Sequence, residues 1–196
     1  MAANELVLVA GPPCSGKSFV VDRLRSGALP GLEHVLLGDQ LRDWSFAYSG
    51  NLALAPEPHE GRFVVQYDFL KQWKRDPLTW CYNADPSLRR LRSAERGVIV
   101  TVYEPMSVLV ARARERRRRL LTGAITHPRL LTRHWHEICE TRHLIKLYAM
   151  VDTFALYHRW FEFSSAHCAQ HWVLEYDGNN WTLCDANEWQ GRHLVP

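Results

Sequence analysis

The sequence has no apolar run close to the roughly 18 residues that a membrane-spanning helix requires. Its opening stretch, MAANELVLVAG, contains an acidic residue and only a short apolar run, which is unlike a secretory signal. The 5 cysteines are an odd number and include no C-x-x-C pair, which disfavours a disulfide framework and a zinc site. We therefore expect a cytoplasmic protein with no membrane partner.

Lysine is also scarce, because arginine supplies 20 of the 24 basic residues. Six of these arginines lie in the run RARERRRR at 112–119, which also holds one glutamate and so carries +5. The whole chain carries +3, which leaves −2 for the remainder. Because the rest of the chain is not basic, a broad nucleic-acid surface is not predicted, although a polynucleotide 5′ end stays open as an acceptor.

Short apolar runs alternate with amphipathic stretches along the 196 residues, of which 46% are hydrophobic. Apolar runs predict buried strands at 5–10, 35–37, 63–67, 98–103 and 172–176, and an antiparallel edge strand at 181–184. Helical spacing predicts helices at 17–25, 41–48, 86–96, 106–121 and 130–161. This alternation is typical of a single α/β domain, residues 1–196, with a mostly parallel sheet covered on both faces.

A phosphate-binding motif follows the first predicted strand and precedes the first predicted helix. The segment GPPCSGKS fits G-x-x-x-x-G-K-[ST] at every fixed position. Its residues are Gly11, Pro12, Pro13, Cys14, Ser15, Gly16, Lys17 and Ser18. Glycines allow the backbone to curl so that N–H groups point at a polyphosphate, and the helix dipole adds positive potential there. The motif predicts that Lys17 binds the β- and γ-phosphates of a nucleoside triphosphate and that Ser18 ligates Mg²⁺.

This motif resembles the P-loop kinase superfamily, which includes nucleoside monophosphate kinases and small-molecule kinases such as shikimate kinase. A second segment, GDQLR at 38–42, is similar to the G-D-x-L-R segment of adenylate-kinase-like enzymes. The resemblance implies a three-layer α/β/α P-loop NTPase fold with ATP and Mg²⁺ as cofactors. It also implies that Arg42 binds a phosphate of the acceptor and that Asp39 contacts or deprotonates the acceptor hydroxyl. Asp39 is equally well placed to be a helix N-cap.

A further carboxylate, Asp68, closes the predicted strand FVVQY. An apolar strand that ends in an acid is the position of a Walker B residue, which holds Mg²⁺ directly or through water. Strands also end in aspartate for reasons of turn geometry, and Asp39 and Asp68 can exchange roles in this interpretation.

The arginine run lies on a predicted helix after Pro105. Helical periodicity places Arg112, Arg116 and Arg119 on one face, and Arg114, Arg117 and Arg118 on another. A run of this kind is ordinarily a solvated face. P-loop kinases carry an arginine-bearing lid at this point, so the resemblance implies a helical lid at about 104–128. We expect Arg112 and Arg116 of that lid to be catalytic and Arg119 to bind the nucleotide, with Arg133 and Arg142 as further candidates.

The sequence therefore predicts an ATP-dependent phosphotransferase that moves the γ-phosphoryl group to a small acceptor, such as a nucleotide or another hydroxyl compound. One alternative arises because VTVYEPMSVLVARAR is similar to a segment of PAPS-dependent sulfotransferases, although Tyr103 stands at the position of their arginine. A nucleotide-dependent switch with slow hydrolysis is another. The histidines at 134, 136 and 143 lack H-E-x-x-H spacing, so a zinc site is not predicted.

Overall fold

The computed structural model describes residues 4–26, 44–48, 61–70, 77–127, 129–168, 170–176 and 180–194. The strands are β1 (Asn4–Gly11), β2 (Ser45–Tyr48), β3 (Gly61–Asp68), β4 (Arg96–Tyr103), β5 (Gln170–Tyr176) and β6 (Trp181–Asp185). The α-helices are α1 (Lys17–Ser26), α2 (Arg89–Ser93), α3 (Met106–Thr126), α4 (Arg129–Met150), α5 (Thr153–His167) and α6 (Ala186–His193). None of these helices is long and apolar enough to cross a membrane.

The strands form one sheet in the order β2-β3-β1-β4-β5-β6. Every neighbouring pair is parallel except β5 and β6, which are antiparallel. The α/β class, the mostly parallel sheet and the antiparallel return strand are therefore confirmed. A parallel sheet needs helices on its faces because both sides of its strands are apolar and must be buried.

Helices cover both faces of this sheet. Leu6 and Leu8 of β1 pack in the core that α3, α4, α5 and α6 share, whereas Val7 and Val9 pack against α1 on the opposite face. Successive side chains of a strand point to opposite faces, so the unbroken apolar run of β1 is buried on both sides. The helix-rich face holds the larger aromatic residues, including Trp160 and Trp189.

The order of the strands gathers polar chain segments at one edge of the sheet. β1 lies in the centre, with β3 on one side and β4 on the other, and the register places Gly11 opposite Asp68. The loops that leave neighbouring parallel strands diverge at such a point, which opens a crevice outside their carboxyl ends. The candidate site lies at this edge.

Two expectations about local structure were wrong. Residues 45–48 form strand β2 rather than part of a helix, since they pair in parallel with β3 while the preceding Trp44 is buried against the sheet. The helix predicted over 130–161 is two helices, because the Asp152 carboxylate caps α5 by accepting a hydrogen bond from the Ala155 amide at 3.2 Å.

One further expectation is only partly met, and another falls on residues that the structure does not describe. The helix predicted at 86–96 is a 3-10 turn, Pro86–Leu88, followed by α2. The strand predicted at 35–37, together with Asp39 and Arg42, lies outside the described residues.

Candidate functional site

The loop between β1 and α1 adopts a tightly curled conformation. Cys14 and Gly16 both have positive φ, 65° and 94° respectively. A Cβ atom on Gly11 would lie 2.5 Å from Ser15 Oγ and 3.1 Å from the Val102 carbonyl oxygen. Gly11 therefore has to be glycine because the loop folds back over it, and glycine suits position 16 because a side chain would be strained at its φ of 94°.

Side chains hold three successive carbonyl groups of this loop. The Lys17 ammonium donates to the Pro12 carbonyl at 2.7 Å, the Tyr148 hydroxyl donates to the Pro13 carbonyl, and Arg112 Nη1 lies 3.5 Å from the Cys14 carbonyl. The loop is thus fixed by its own lysine, by α4 and by α3. Helix α1 begins directly after it. The Val20 amide donates to the Gly16 carbonyl at 3.0 Å, whereas the amides of Lys17, Ser18 and Phe19 have no partner within the helix and can donate to an anion.

Lys17 and Asp68 lie together at the carboxyl ends of β1 and β3. Lys17 Nζ is 2.5 Å from Asp68 Oδ1, and the lysine side chain is 3% exposed whereas the aspartate is 48% exposed. The Ser18 hydroxyl donates to Gln66 Oε1 at 3.2 Å. The structure therefore brings together the lysine, the hydroxyl and the carboxylate that the sequence singled out. Gln66 was missed, although it lies two residues before Asp68 and so on the same face of the strand.

The arginines of α3 divide into two faces as helical periodicity predicts. Arg112, Arg116 and Arg119 line a cavity of about 760 Å³ with Lys17 and Asp68. A separate hollow of about 220 Å³ is lined by Arg114, Arg117 and Arg118. Arg142 is exposed on α4. The first face is therefore the one that meets the loop.

Each arginine of the cavity face has a carboxylate partner. Arg112 Nη2 lies 2.7 Å from Glu104 Oε1, Arg116 Nη2 lies 3.0 Å from Glu137 Oε2, and Arg119 Nε lies 2.9 Å from Glu115 Oε1. Of these three acids, Glu104 is 1% exposed, whereas Glu137 and Glu115 are 40% and 37% exposed. Burial raises the pKa of Glu104 above its ordinary value, and the Arg112 guanidinium opposes that rise.

Aromatic side chains also line the same cavity. Phe19, Tyr176 and Trp181 line it, and the rings of Phe19 and Trp181 are nearly parallel with centroids 5.9 Å apart. The cavity lining therefore combines cationic side chains with aromatic ones, and Phe19 of α1 meets Trp181 of β6 there.

Two sequence features have plain structural explanations. Burial raises the pKa of the Cys14 thiol, and nearby Arg116 and Lys17 only moderate this rise, so the thiol is held in its neutral form. Among the described residues, no group of three or more histidine, cysteine, aspartate or glutamate side chains is arranged to hold a metal ion. His134 and His136 each lie near a glutamate of their own helix, Glu137 and Glu140.

No protein-family model, curated protein or solved structure matches this chain. The candidate site is defined by its own motif and geometry. Its main elements are the curled loop at 11–16, the Lys17–Asp68 pair and the cavity face of α3.

Proposed function

We propose that the protein is an ATP- and Mg²⁺-dependent phosphotransferase of the P-loop kinase type, which moves the γ-phosphoryl group to a small acceptor. One observation carries the proposal. Lys17, Ser18, Asp68 and the arginines at 112, 116 and 119 converge on one cavity at the carboxyl edge of a parallel sheet.

The cavity suits a nucleoside triphosphate in size and charge. Its volume of about 760 Å³ falls within the range of roughly 300–1,000 Å³ that small-molecule sites occupy. Lysine and arginine donors converge there beside the first turn of α1, and the aromatic rings in the lining are available to a base. The exposed carboxylates Asp68, Glu115 and Glu137 are anionic partners that phosphate oxygens can replace.

The residues present also fit a Mg²⁺ ion that arrives with the nucleotide. Mg²⁺ in such sites is held by one or two carboxylates together with phosphate oxygens and water, rather than by an all-protein cage. The Ser18 hydroxyl and the Asp68 carboxylate would hold it, with Gln66 orienting the hydroxyl. When bound, the ion supplies charge neutralisation at the β- and γ-phosphates.

The protein's own groups act by positioning and by charge. The curled loop and Lys17 hold the phosphates in place, and the guanidinium groups of Arg112, Arg116 and Arg119 stabilise negative charge on the transferring group. We assign the lid to about 104–128, because α3 follows β4 directly and carries the arginines to the loop. Asp39 as base and Arg42 as phosphate anchor remain part of this proposal and lie outside the described residues.

The sulfotransferase alternative has less support. Tyr103, at the position of that family's arginine, packs its ring on Trp189 with centroids 4.7 Å apart and on Tyr157 at 5.1 Å. Burial raises the pKa of Tyr103, so its phenol stays neutral. This position therefore contributes a partly buried aromatic ring that packs against the core instead of a cation.

A thermal-shift panel tests the class of ligand. We expect ATP–Mg²⁺ or GTP–Mg²⁺ to raise the melting temperature in proportion to affinity and concentration, and adenosine 3′,5′-bisphosphate to have little effect. Stabilisation by the bisphosphate alone would overturn the kinase proposal in favour of a sulfotransferase.

Transfer from γ-labelled ATP tests the reaction. The acceptors offered are nucleoside monophosphates, sugars and a polynucleotide with a 5′ hydroxyl. A kinase places the label on one of them, whereas a switch releases it only as inorganic phosphate. Asp39→Asn should abolish labelled product while ATP binding is kept, and full transfer by this variant would remove Asp39 as the base.

A further inference from the structure

We infer that Glu104 is a positioning residue, which fixes the Arg112 guanidinium against the loop at 11–16 and thereby sets the rate of phosphoryl transfer. This inference rests on the proposed function, and it names a residue that the phosphate-loop motif does not include. The spacing of the arginines predicts neither a role for Glu104 nor its ion pair with Arg112.

The fold delivers Glu104 to the edge of the sheet that carries the loop. It is the first residue after β4, which lies beside β1, and its side chain is almost wholly buried. Its Oε1 atom lies 2.7 Å from Arg112 Nη2, across the start of α3. A buried carboxylate requires a charged or hydrogen-bonding partner, and Arg112 is that partner.

The opposite side of the same guanidinium faces the loop. Arg112 Nη1 lies 3.5 Å from the Cys14 carbonyl oxygen, and a Cβ atom on Gly16 would lie 3.3 Å from this nitrogen. Arg112 therefore bridges Glu104 and the loop through its two terminal nitrogens. Its position is set before any ligand arrives.

The other arginines of the cavity face are held differently. The partners of Arg116 and Arg119, Glu137 and Glu115, are both well exposed to solvent. An exposed pair separates at little cost because water replaces the lost partner. Separating Arg112 from Glu104 leaves the buried Glu104 carboxylate without a counter-ion, so the pair stays together and fixes the position of Arg112. A cation fixed in advance stabilises charge that develops in the transition state more than charge already present in the ground state.

The test uses hydrolysis of MgATP under single-turnover conditions, with water as the acceptor. The water oxygen bonds to the γ-phosphorus as the bond to the β–γ bridging oxygen breaks, which yields ADP, inorganic phosphate and one proton released to buffer. We expect Glu104→Gln to slow this step at least tenfold while the MgATP dissociation constant changes less than threefold. That split distinguishes a lost positioning effect from lost binding.

A double-mutant cycle with Arg112→Met shows whether Glu104 acts through Arg112. In the Arg112→Met background, adding Glu104→Gln should leave the rate unchanged. The same addition should raise the melting temperature, because Arg112→Met alone strands the buried Glu104 carboxylate. Glu188→Gln is the matched control, since Glu188 pairs with Arg192 at 3.8 Å in an exposed position on α6. It should match the wild type in rate and affinity.

The outcomes separate the inference from the proposed function. A wild type that neither binds nor hydrolyses MgATP refutes the proposed function, and the inference falls with it. A wild type that does both, with a folded Glu104→Gln variant equally fast, overturns the inference alone. The inference is also overturned when Glu104→Gln slows the step by the same factor with and without Arg112.

Discussion

Two clusters of polar side chains lie on the same sheet, and they use their hydrogen-bonding groups in different ways. In the closed cluster, His171 bridges β4 and α5: its Nε2 lies 2.7 Å from Thr101 Oγ1 and its Nδ1 lies 3.0 Å from Ser164 Oγ. Trp160 Nε1 also donates to Thr101 Oγ1 at 2.8 Å. Every member of this cluster is neutral and bonded to another member.

The open cluster lies at the carboxyl edge of the sheet and consists of Ser15, Lys17, Asp68, Glu104 and Arg112. Four of its members are charged, and Lys17, Asp68 and Arg112 line the large cavity. Ser15 Oγ is fully buried and has no hydrogen-bond partner among the described residues. A buried hydroxyl that forms no hydrogen bond within the fold is more typical of a binding site than of a structural network.

The comparison makes a general prediction. Damage to the closed cluster should lower stability and leave ligand binding intact, because its bonds only join strands to α5. Damage to the open cluster should do the reverse, unless the substitution also breaks the packing of the loop.

The largest expected effect is a loss of folding stability at low pH, caused by His171 of the closed cluster. Burial lowers the pKa of His171 from 6.5 to about 3, while Asp185 opposes the shift. Between these pH values the unfolded chain binds a proton that the folded protein excludes, so His171 destabilises the fold progressively as pH falls below 6.5. The loss approaches about 1.4 kcal/mol for each pH unit.

Urea denaturation at pH 7.5, 5.5 and 4.5 measures this loss, with His171→Phe as the reference. The phenyl ring keeps the stacking on Phe161, whose centroid lies 4.9 Å from the imidazole, but cannot titrate. The variant should be less stable than the wild type at pH 7.5 and should have the flatter pH profile. Parallel profiles would show that His171 does not titrate as the closed cluster requires.

A smaller effect is expected when a methyl group is added under the loop. Gly11→Ala places a Cβ atom 2.5 Å from Ser15 Oγ and close to the Val102 carbonyl, so the loop has to move. We expect a loss of about 1–3 kcal/mol in unfolding free energy, as for other overpacked sites. We also expect MgATP to bind at least tenfold more weakly in calorimetric titration.

Gly123→Ala is the control for this substitution. A Cβ atom on Gly123, in α3, meets nothing within 4 Å. Alanine there should stabilise the protein by about 0.5–1 kcal/mol through helix propensity and leave MgATP binding unchanged. A Gly11→Ala variant that behaves like Gly123→Ala would contradict the packing of the loop.

The smallest effects compare one fully buried serine from each cluster. Ser164→Ala removes hydrogen bonds to His171 and to the Phe161 carbonyl, and should cost about 1 kcal/mol of stability. Ser15→Ala removes a hydroxyl that has no partner in the described part of the chain, and should change stability by less than about 0.5 kcal/mol. Equal losses of stability for the two variants in thermal and urea unfolding would contradict the proposed difference between the two clusters.

How much of this molecule the sequence could predict depends on the distance along the chain between partners. The phosphate-binding motif at 11–18 and the cavity face of α3 are local patterns, since the first is contiguous in sequence and the second follows the helical period. Tyr148 could not be assigned its partner in this way. Tyr148 meets Pro13 across 135 residues, and no periodicity links them.

The local errors have equally specific causes. Residues 45–48 carry no helix-breaking signal, and it is pairing with β3 and burial of Trp44 that make them a strand. The break before α5 was readable, because Asp152 followed by Thr153 is a helix-start signal that the longer apolar periodicity hid. Glu104 follows an apolar strand just as Asp68 does, so the same strand-end rule applied to β4 would have singled it out.

The central claim is that the loop cavity binds a nucleoside triphosphate through Lys17. Calorimetric titration of MgATP into the wild type, Lys17→Ala and Lys146→Ala tests it most directly, since Lys146 is an exposed lysine on α4. We predict equal affinity for the wild type and Lys146→Ala, and binding at least tenfold weaker for a folded Lys17→Ala. Equal affinity in all three proteins, or no binding to the wild type, would contradict it.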